Sequence, residues 1–384
     1  MDRIYLDHNA TTPVDPRVLE AMLPALREGF GNASSLHWFG QQARAALDQA
    51  RADVARLVGA NPAEIVFTSS GTEADNMALR GAAGLAPPDR RTIVYSAVEH
   101  HAVMNTAKAL AEEGWTARVA RVGTDGVVDL DDLAAKVDAT TAVVALMRAN
   151  NETGVVQPVA EAARIAHAKG ALLHCDAVQA AGKIPVDVRA LDADLLALSG
   201  HKIYGPKGVG VLYVKRGTRL RAWARGGSQE RNRRAGTENI PGIVGMGRAA
   251  ALAREELEAE SARLGTLRER LEQRLLAIPG ARRNGERPRV ANTSNISFEG
   301  IEAESLLMAL DLAGIAVSTG AACAAGAVEP SHVLRGMGLP LERVQASVRF
   351  SLGRGTREQD VDRAAAEVAT AVARQRSLAR VPTR

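Results

Sequence analysis

The feature that most constrains the fold is a series of short apolar runs that alternate with helix-length amphipathic segments. The runs end in small or polar residues and occupy positions 65–68, 92–96, 142–147, 171–174, 195–199 and 209–214. Strands that alternate with helices predict an α/β fold with a mainly parallel sheet covered on both faces. Ligands of such sheets bind beyond the carboxyl ends of the strands, so the residues after each run are the candidates for a site.

The pattern changes at about Gly245, where one long helix rich in Ala, Leu, Glu and Arg begins and continues to about Ile278. This helix is typical of a spacer between two domains. The segments that follow predict a strand at 294–298, a helix at 302–312, a small-residue stretch at 314–326, and a final strand and helix. We therefore predict a large domain over residues 16–255 and a smaller α/β domain formed by residues 1–15 and 256–384.

Charge and cysteine content argue against several classes of protein. The chain has 48 Lys and Arg against 44 Asp and Glu, a net charge of +4, which gives little support for direct nucleic-acid binding. The two cysteines, Cys175 and Cys323, cannot form a disulfide framework and suit a reducing compartment. No run reaches the roughly 18 apolar residues of a membrane span, and the polar N-terminus does not resemble a signal peptide. We expect a cytoplasmic protein with no membrane partner.

Two polar clusters follow predicted strands. The first, SSGTE at 69–73, precedes a helix-like stretch, with Ser70 and Glu73 spaced as a capping box. Hydroxyls and free N–H groups at a helix start favour an anion, although an ordinary capped helix also explains this motif. In the second cluster His174, Cys175 and Asp176 could be metal ligands. Consecutive strand residues face opposite ways, however, so we expect no metal there and pair the carboxylate with a cationic ring nitrogen.

A lysine completes the pattern. Only seven of the 48 basic residues are lysines, and Lys202 follows the run at 195–199. A lysine beyond a buried strand can form a Schiff base, and partial burial would lower its pKa, although a surface loop lysine is the commoner case. Lys207, between Pro and Gly, is typical of an exposed turn. An anion-binding helix start, a carboxylate and a lysine are together what pyridoxal phosphate requires.

The chain resembles the cysteine desulfurases of the NifS/IscS group over nearly its whole length, from YLDHNATTPVDP to VRFSLGR. The matching segments between these ends occur in family order: FGNASSLH, FTSSGTEADN, EHHAV, ANNETGVVQP, HCDAVQAAGK, SGHKIYGPKGVG, GGSQERNRRAGTEN and CAAGAVEPSHVLR. The resemblance implies a pyridoxal-phosphate-dependent transferase of fold type I. It also implies a homodimer that converts L-cysteine to L-alanine, with the sulfur passing to an enzyme cysteine and then to an acceptor such as an iron–sulfur scaffold protein.

The resemblance also implies residue roles. Lys202 would hold the cofactor and move the substrate's Cα proton, Asp176 would pair with the pyridine nitrogen, and Gln179 would contact the ring hydroxyl. His100 would stack on the ring and handle protons at the substrate sulfur. The remaining implied cofactor ligands are Gly71, Thr72, Asn151, Ser199, His201 and Thr237, the last from the neighbouring subunit. Asn151 and Arg349 would hold the substrate carboxylate.

Cys323 is the implied nucleophile, in a small-residue stretch that suits a mobile loop. A small buried cysteine is the alternative, and Cys175, within an apolar run, fits that alternative better. Ala324 and Ala325 follow Cys323 where the family usually has hydroxyl residues. A selenocysteine lyase or an aminotransferase of the same fold would keep Lys202 and Asp176, and a basic binding protein with a dead site is a more remote alternative.

Overall fold

The computed structural model describes residues 3–286, 288–320, 323–324 and 327–379. The strands in chain order are β1 (Ile4–Tyr5), β2 (Ile65–Thr68), β3 (Thr92–Ser96), β4 (Thr116–Ala120), β5 (Thr141–Ala145), β6 (Leu172–Asp176), β7 (Leu195–Ser199), β8 (Gly210–Val214), β9 (Ala281–Arg283), β10 (Thr293–Phe298), β11 (Ile315–Ala316), β12 (Cys323–Ala324), β13 (Ala327–Val328) and β14 (Ser347–Ser351). The helices are α1 (Pro16–Arg27), α2 (Trp38–Leu57), α3 (Gly71–Ala83), α4 (His101–Glu112), α5 (Leu130–Lys136), α6 (Val159–Ala168), α7 (Gln229–Asn232), α8 (Ile240–Leu276), α9 (Ala303–Leu312), α10 (His332–Gly336), α11 (Leu341–Gln345) and α12 (Glu358–Ala379).

A seven-stranded sheet in the order β2-β8-β7-β6-β5-β3-β4 forms the centre of the molecule. Its strands are parallel except β8, which is antiparallel to both β2 and β7. The prediction of a mainly parallel α/β sheet is therefore confirmed. The sequence analysis missed β4, because this edge strand is largely exposed and its sequence, TARVA, contains no apolar run.

Helices cover both faces of this sheet. Alternate residues of each strand point to opposite faces, so that Ile65 and Phe67 pack with α2, α6 and α8 while Val66 packs with α3 and α4. Burial on both faces explains why these strands are continuous apolar runs. The polar residues that end the strands therefore lie at the edge of the apolar core.

A second core lies around a three-stranded antiparallel sheet in the order β14-β10-β9. It includes side chains of α9, α12 and the two-stranded pair of β1 with β11. Helix α8 contributes to both cores, with residues up to Ala253 in the first and from Leu264 in the second. The predicted boundary at residues 255 and 256 falls between these two parts of α8. The two separate cores support our division into two domains, which stays a proposal.

The predicted long helix starts earlier than expected, at Ile240, because Asn239 caps it through a bond from Gly242 N at 3.2 Å. Pro241 sits in its first turn, where a proline is tolerated. Among the described helices, none is both long and apolar enough to cross a membrane.

Candidate active site

A cavity of about 300 Å³ lies at the carboxyl ends of the central strands. Its lining brings together most of the predicted site residues, which come from distant parts of the sequence: Gly71, Thr72, His100, Asn151, Asp176, Gln179, Ser199, His201, Lys202 and Arg349. Thr237 is exposed in the segment before α8 and does not line this cavity. The backbone of Cys323 lies in β12, paired with Val328, and its side chain is outside the described part of the structure.

Lys202 closes the short 3₁₀ turn that follows β7. Its Nζ donates hydrogen bonds to the backbone oxygens of Asn9 at 2.5 Å and Ala10 at 2.7 Å. Burial and the nearby Arg349 lower the pKa of Lys202 to about 8, although the carboxylates of Asp7 and Asp176 act in the opposite direction. A substantial fraction of this amine is therefore neutral, and so nucleophilic, near neutral pH.

Asp176 is the last residue of β6 and is 6% exposed. Its Oδ1 accepts a hydrogen bond from the backbone N–H of Val178 at 2.9 Å, which fixes the carboxylate at the cavity wall. One donor atom each of Asp75, His100 and Asp176 lies within 4.8 Å of the others. These three atoms are close enough together to surround a metal ion, and the Asp176 carboxylate could equally serve as the charge partner of a cationic ring nitrogen.

His100 is the N-cap of α4, where its Nδ1 accepts a hydrogen bond from Ala102 N at 3.1 Å. The proton of the neutral ring is therefore on Nε2. Burial lowers the pKa of His100, as do Lys202 and His101, while Asp176 raises it. The lowered pKa favours the neutral imidazole, which has a ring nitrogen able to accept a proton.

The start of α3 forms the opposite end of the cavity and fits a phosphate. Ser199 Oγ is buried there and has no hydrogen-bond partner among the described residues. A Cβ on Gly71 would lie 2.8 Å from Val178 Cγ2, so a larger residue here would crowd the wall of the cavity. His201 is held by a 3.1 Å contact between Nδ1 and Thr11 Oγ1, and burial with Lys202 and Lys207 nearby lowers its pKa to about 4. The neutral imidazole can still donate one N–H.

The predicted capping box at this helix start is only half formed. Ser70 Oγ accepts from Glu73 N at 3.1 Å, as expected. The Glu73 carboxylate, however, accepts from Ser69 N at 2.6 Å rather than from Ser70 N. The same carboxylate pairs with Arg234 Nε at 2.9 Å, a long-range contact that sequence spacing does not reveal. The first residues of this helix, Gly71 and Thr72, line the cavity and have backbone N–H groups without an intrahelical acceptor.

Arg349 on β14 offers a carboxylate-binding group. Its Nη2 donates to Asp7 Oδ1 at 2.7 Å and its Nη1 to the backbone oxygen of Asn151 at 3.1 Å. Its Nε is buried and lacks a partner in the part of the chain that the structure describes. Two of the five guanidinium N–H donors are thus engaged within the described chain, and the others, the Nε–H among them, are left for a ligand that carries a carboxylate.

The sequence analysis missed two residues that organise the site, Asn9 and Lys183. Asn9 Nδ2 donates to Asn151 O at 3.0 Å, and its own backbone oxygen accepts from Gln179 Nε2 at 2.9 Å and from Lys202. Lys183 Nζ donates to Gln179 Oε1 at 2.5 Å and to Asn9 Oδ1 at 2.9 Å. Burial, with Lys202 and Arg349 nearby, holds the pKa of Lys183 well below its usual range. The polar run that follows β1 is the sequence signal that could have identified Asn9.

His174 and Cys175 precede Asp176 in β6, and each contacts different groups from those that Asp176 contacts. His174 Nε2 lies 2.9 Å from Asp75 Oδ1, and burial lowers the pKa of His174 to about 4. Cys175 packs in the core under the sheet, where burial raises the pKa of its thiol. A buried, protonated thiol is a poor nucleophile, so Cys175 is a packing residue.

Comparisons with known proteins identify the family to which this chain is similar. The family model described as aminotransferase class-V matches residues 4–364. A cysteine desulfurase of Nostoc sp. is 50% identical over 98% of this chain and 95% of its own length. The cysteine desulfurase NifS of Azotobacter vinelandii is 47% identical over 98% of this chain and 94% of its own length. A solved structure named NifS-like protein superposes with a TM-score of 0.91 at 38% identity, covering 97% of this chain and 99% of that one.

Proposed function

The chain belongs to the class-V aminotransferase family, and we propose that it is a pyridoxal-phosphate-dependent cysteine desulfurase that converts L-cysteine to L-alanine. One observation carries the proposal: the Lys202 amine, the Asp176 carboxylate and the unpartnered Ser199 hydroxyl line one cavity. These groups supply a covalent anchor, a charge partner and a phosphate ligand. Arg349, in the same lining, supplies the carboxylate clamp that an amino-acid substrate needs.

Pyridoxal phosphate, when bound, supplies an electron-withdrawing ring that stabilises negative charge at the substrate's Cα. Lys202 would hold it covalently, and Asp176 would keep the ring nitrogen protonated. Ser199, His201 and the start of α3 would bind the phosphate, since the neutral hydroxyl, imidazole and backbone N–H groups can all donate to its oxygens.

Different residues of the site then carry out the proton transfers and the sulfur transfer. Arg349 and Asn151 hold the substrate carboxylate, which directs the Cα–H bond toward the Lys202 amine. Lys202 removes that proton in its neutral form, which its lowered pKa makes more available than in an ordinary lysine. His100 takes the proton of the substrate thiol or of Cys323. The Cys323 thiolate attacks the substrate sulfur, the Cβ–S bond breaks with its electron pair left on carbon, and protonation of that carbon gives alanine.

The sulfur is left as a persulfide on Cys323, and we propose that it passes to an acceptor such as an iron–sulfur scaffold protein. A cytoplasmic location and a homodimer belong to the same proposal. An exposed aromatic cluster supports the dimer: the ring centroids of Phe30 and Trp38 each lie 5.0 Å from that of Phe39 on the surface. Monomeric soluble proteins rarely leave such clusters uncovered.

The test is to purify the protein with pyridoxal phosphate, add L-cysteine, and measure alanine while mapping added sulfur by mass spectrometry. We expect one extra sulfur on the peptide that contains Cys323. Cys323→Ser should still bind the cofactor and change its visible spectrum with cysteine, but it should fail to turn over, because a hydroxyl is a poor nucleophile toward sulfur.

Cys175→Ala is the matched control. It should lose at most about 1–2 kcal/mol of stability, as modest core truncations do, and it should still form the persulfide. Added sulfur on the Cys175 peptide, or alanine turnover by Cys323→Ser, would refute the mechanism. Turnover of selenocysteine without turnover of cysteine would indicate a lyase, and a requirement for a keto acid would indicate an aminotransferase.

A further inference from the structure

Glu152 is a buried carboxylate, 1% exposed, in the turn that follows β5. It lies next to Asn151, which lines the cavity, and side-chain hydrogen bonds hold the turn. The backbone N–H groups of Glu152 and Thr153 both donate to Asn150 Oδ1 at 2.9 Å. Asn295 Nδ2 donates to the backbone oxygen of Glu152 at 3.3 Å. These bonds hold the backbone from which the Glu152 side chain extends.

This side chain contacts both ends of the segment that carries Cys323. On the side before Cys323, a Cβ on Gly320 would lie 2.8 Å from Glu152 Oε2 and 3.0 Å from Cδ, so the carboxylate packs directly on this backbone. Gly320 has a φ of +82°, a conformation that favours glycine. On the other side, Ser331 Oγ donates to the same Oε2 at 2.5 Å. Ser331 is also the N-cap of α10, through a bond from Leu334 N at 3.1 Å.

The first end of the segment is also joined to the carboxylate clamp. Ser318 and Arg349 form an antiparallel bridge, with Arg349 N donating to Ser318 O at 2.6 Å and Ser318 N donating to Arg349 O at 3.2 Å. Arg349 Nη1 reaches back to the backbone oxygen of Asn151, the neighbour of Glu152. The group expected to hold the substrate and the two ends of the Cys323 segment thus form one connected unit.

We propose that Glu152 is a positioning residue for sulfur transfer, which fixes both ends of the Cys323 segment relative to the Arg349 clamp. The inference rests on the proposed desulfurase function. Gly320 packs against this carboxylate and Ser331 donates a hydrogen bond to it, so the carboxylate fixes the distance between the two points from which the Cys323 backbone is held. Glu152 touches neither substrate nor cofactor in this assignment and acts through the segment that it holds.

A carboxylate suits this role better than a simple packing residue. Burial raises the pKa of Glu152 to about 7, while the bond from Ser331 and the charge of Arg349 oppose that rise. Burying an acid costs free energy unless the group is hydrogen-bonded, and the hydrogen bond that this carboxylate accepts comes from Ser331, at one end of the Cys323 segment. The ANNETG motif that contains Glu152 carried no assigned role for this residue in the sequence analysis.

The test separates substrate binding from sulfur transfer in the holoenzyme. Stopped-flow spectra record the change in the cofactor's absorption when L-cysteine is mixed in, and quenched samples record persulfide on Cys323 in a single turnover. For Glu152→Ala we expect the spectral change to keep its amplitude and cysteine dependence within about threefold, and the persulfide rate to fall at least tenfold.

Two further variants sharpen the result. Glu152→Gln should recover most of the persulfide rate, because an amide oxygen can still accept from Ser331 Oγ. Ser331→Ala removes the same bond from the other partner and should lower the persulfide rate without changing the spectral step. Ser297→Ala is the matched control: it removes a buried serine of the same domain whose Oγ donates to Arg282 O at 3.1 Å, and it should leave both steps unchanged.

The outcomes distinguish this inference from the proposed function. Wild-type enzyme that binds cysteine but forms no persulfide would overturn both. A normal persulfide rate in Glu152→Ala, with the wild type active, would overturn the positioning role alone, as would an equal loss of the spectral and persulfide steps. If Glu152→Ala does not fold, the test uses Glu152→Gln and Ser331→Ala instead. A persulfide rate in Ser331→Ala equal to that of the wild type would then contradict the proposal.

Discussion

At the scale of single residues, burial sets the chemistry of the site because it shifts the pKa values of amines and of carboxylic acids in opposite directions. It lowers the pKa of Lys202 to about 8 and raises that of Glu99, beside His100, to about 8. Glu99 Oε1 accepts from Ser96 Oγ at 2.6 Å and from Met147 N at 2.9 Å, so it supports the loop that carries His100. A nucleophilic amine and a protonated acid can therefore coexist in one site near neutral pH.

The lowered pKa of Lys202 predicts how the cofactor-free protein captures pyridoxal phosphate. Only the neutral amine attacks an aldehyde, so the capture rate should rise as pH increases through about 8 rather than through the 10.5 of an ordinary lysine. To measure this rate, cofactor-free protein is mixed with pyridoxal phosphate at a series of pH values between about 6 and about 10, and the absorption of the bound cofactor is followed over time. Arg349→Ala removes one cause of the shift and should move the midpoint upward.

Lys207 provides the control for this assignment, since it is an exposed lysine of the same turn region. Lys207→Ala should keep the profile and the borohydride-reducible bond, whereas Lys202→Ala should lose that bond. Cofactor fixed by borohydride to another lysine of the Lys202→Ala protein would show that the amine has been misassigned.

At the scale of elements, the site forms where the ends of strands converge. Apolar runs and the polar residues after them predicted β2, β3, β5, β6, β7 and β8 within a few residues, because burial on both faces leaves a clear sequence signal. The strand ends in turn placed Asp176 and Lys202 at one edge of the sheet. Edge strand β4 and the ion pair between Glu73 and Arg234 were not predicted, since exposed strands and long-range ion pairs leave no periodic pattern.

The remaining parts of the site depend on tertiary contacts. Lys183 was passed over because nothing in its sequence surroundings shows that its amine reaches Asn9 and Gln179. Glu152 was quoted within a motif but gained meaning only from its contacts with residues far along the chain. The order of residues in the sequence shows which side chains follow a strand. It does not show which distant residues will form hydrogen bonds with them in the folded protein.

Strand β8 supports the start of α3 through one glycine. A Cβ on Gly210 would lie 2.3 Å from the carbonyl carbon of Ser70 and 2.8 Å from the backbone nitrogen of Gly71. Both contacts are to backbone, so Gly210→Ala must displace the turn that forms the phosphate end of the cavity. We expect a loss of roughly 1–3 kcal/mol in the free energy of unfolding and weaker cofactor retention.

Denaturant titration and equilibrium dialysis of the holoenzyme measure these two effects. Gly355→Ala is the matched control, because a Cβ there would meet no atom of the described chain within 4 Å. That variant should unfold and retain cofactor as the wild type does. Unchanged cofactor retention in Gly210→Ala would mean that the turn tolerates the shift and that its position does not set phosphate affinity.

At the scale of the whole molecule, two cores meet at the cavity and a subunit boundary is expected beside it. Lys202 and Asp176 extend from elements of the large core, while Arg349 comes from β14 of the second core. Thr237, the predicted phosphate ligand of the neighbouring subunit, is exposed in this chain. The site would then be complete only in a dimer, which links cofactor affinity to assembly.

That link can be tested at the exposed aromatic cluster, where Phe30 is 78% and Trp38 is 64% exposed. If a second copy covers this cluster, Trp38→Asp buries a charge at the interface and should shift the protein toward monomer in sedimentation velocity. Cofactor should be lost along with the dimer. Thr237→Ala, by contrast, should weaken cofactor retention while the protein stays dimeric. Leu312→Asp, at a position that is 89% exposed on α9, is the control and should change neither property. A monomer that stays loaded and active would contradict a site shared between subunits.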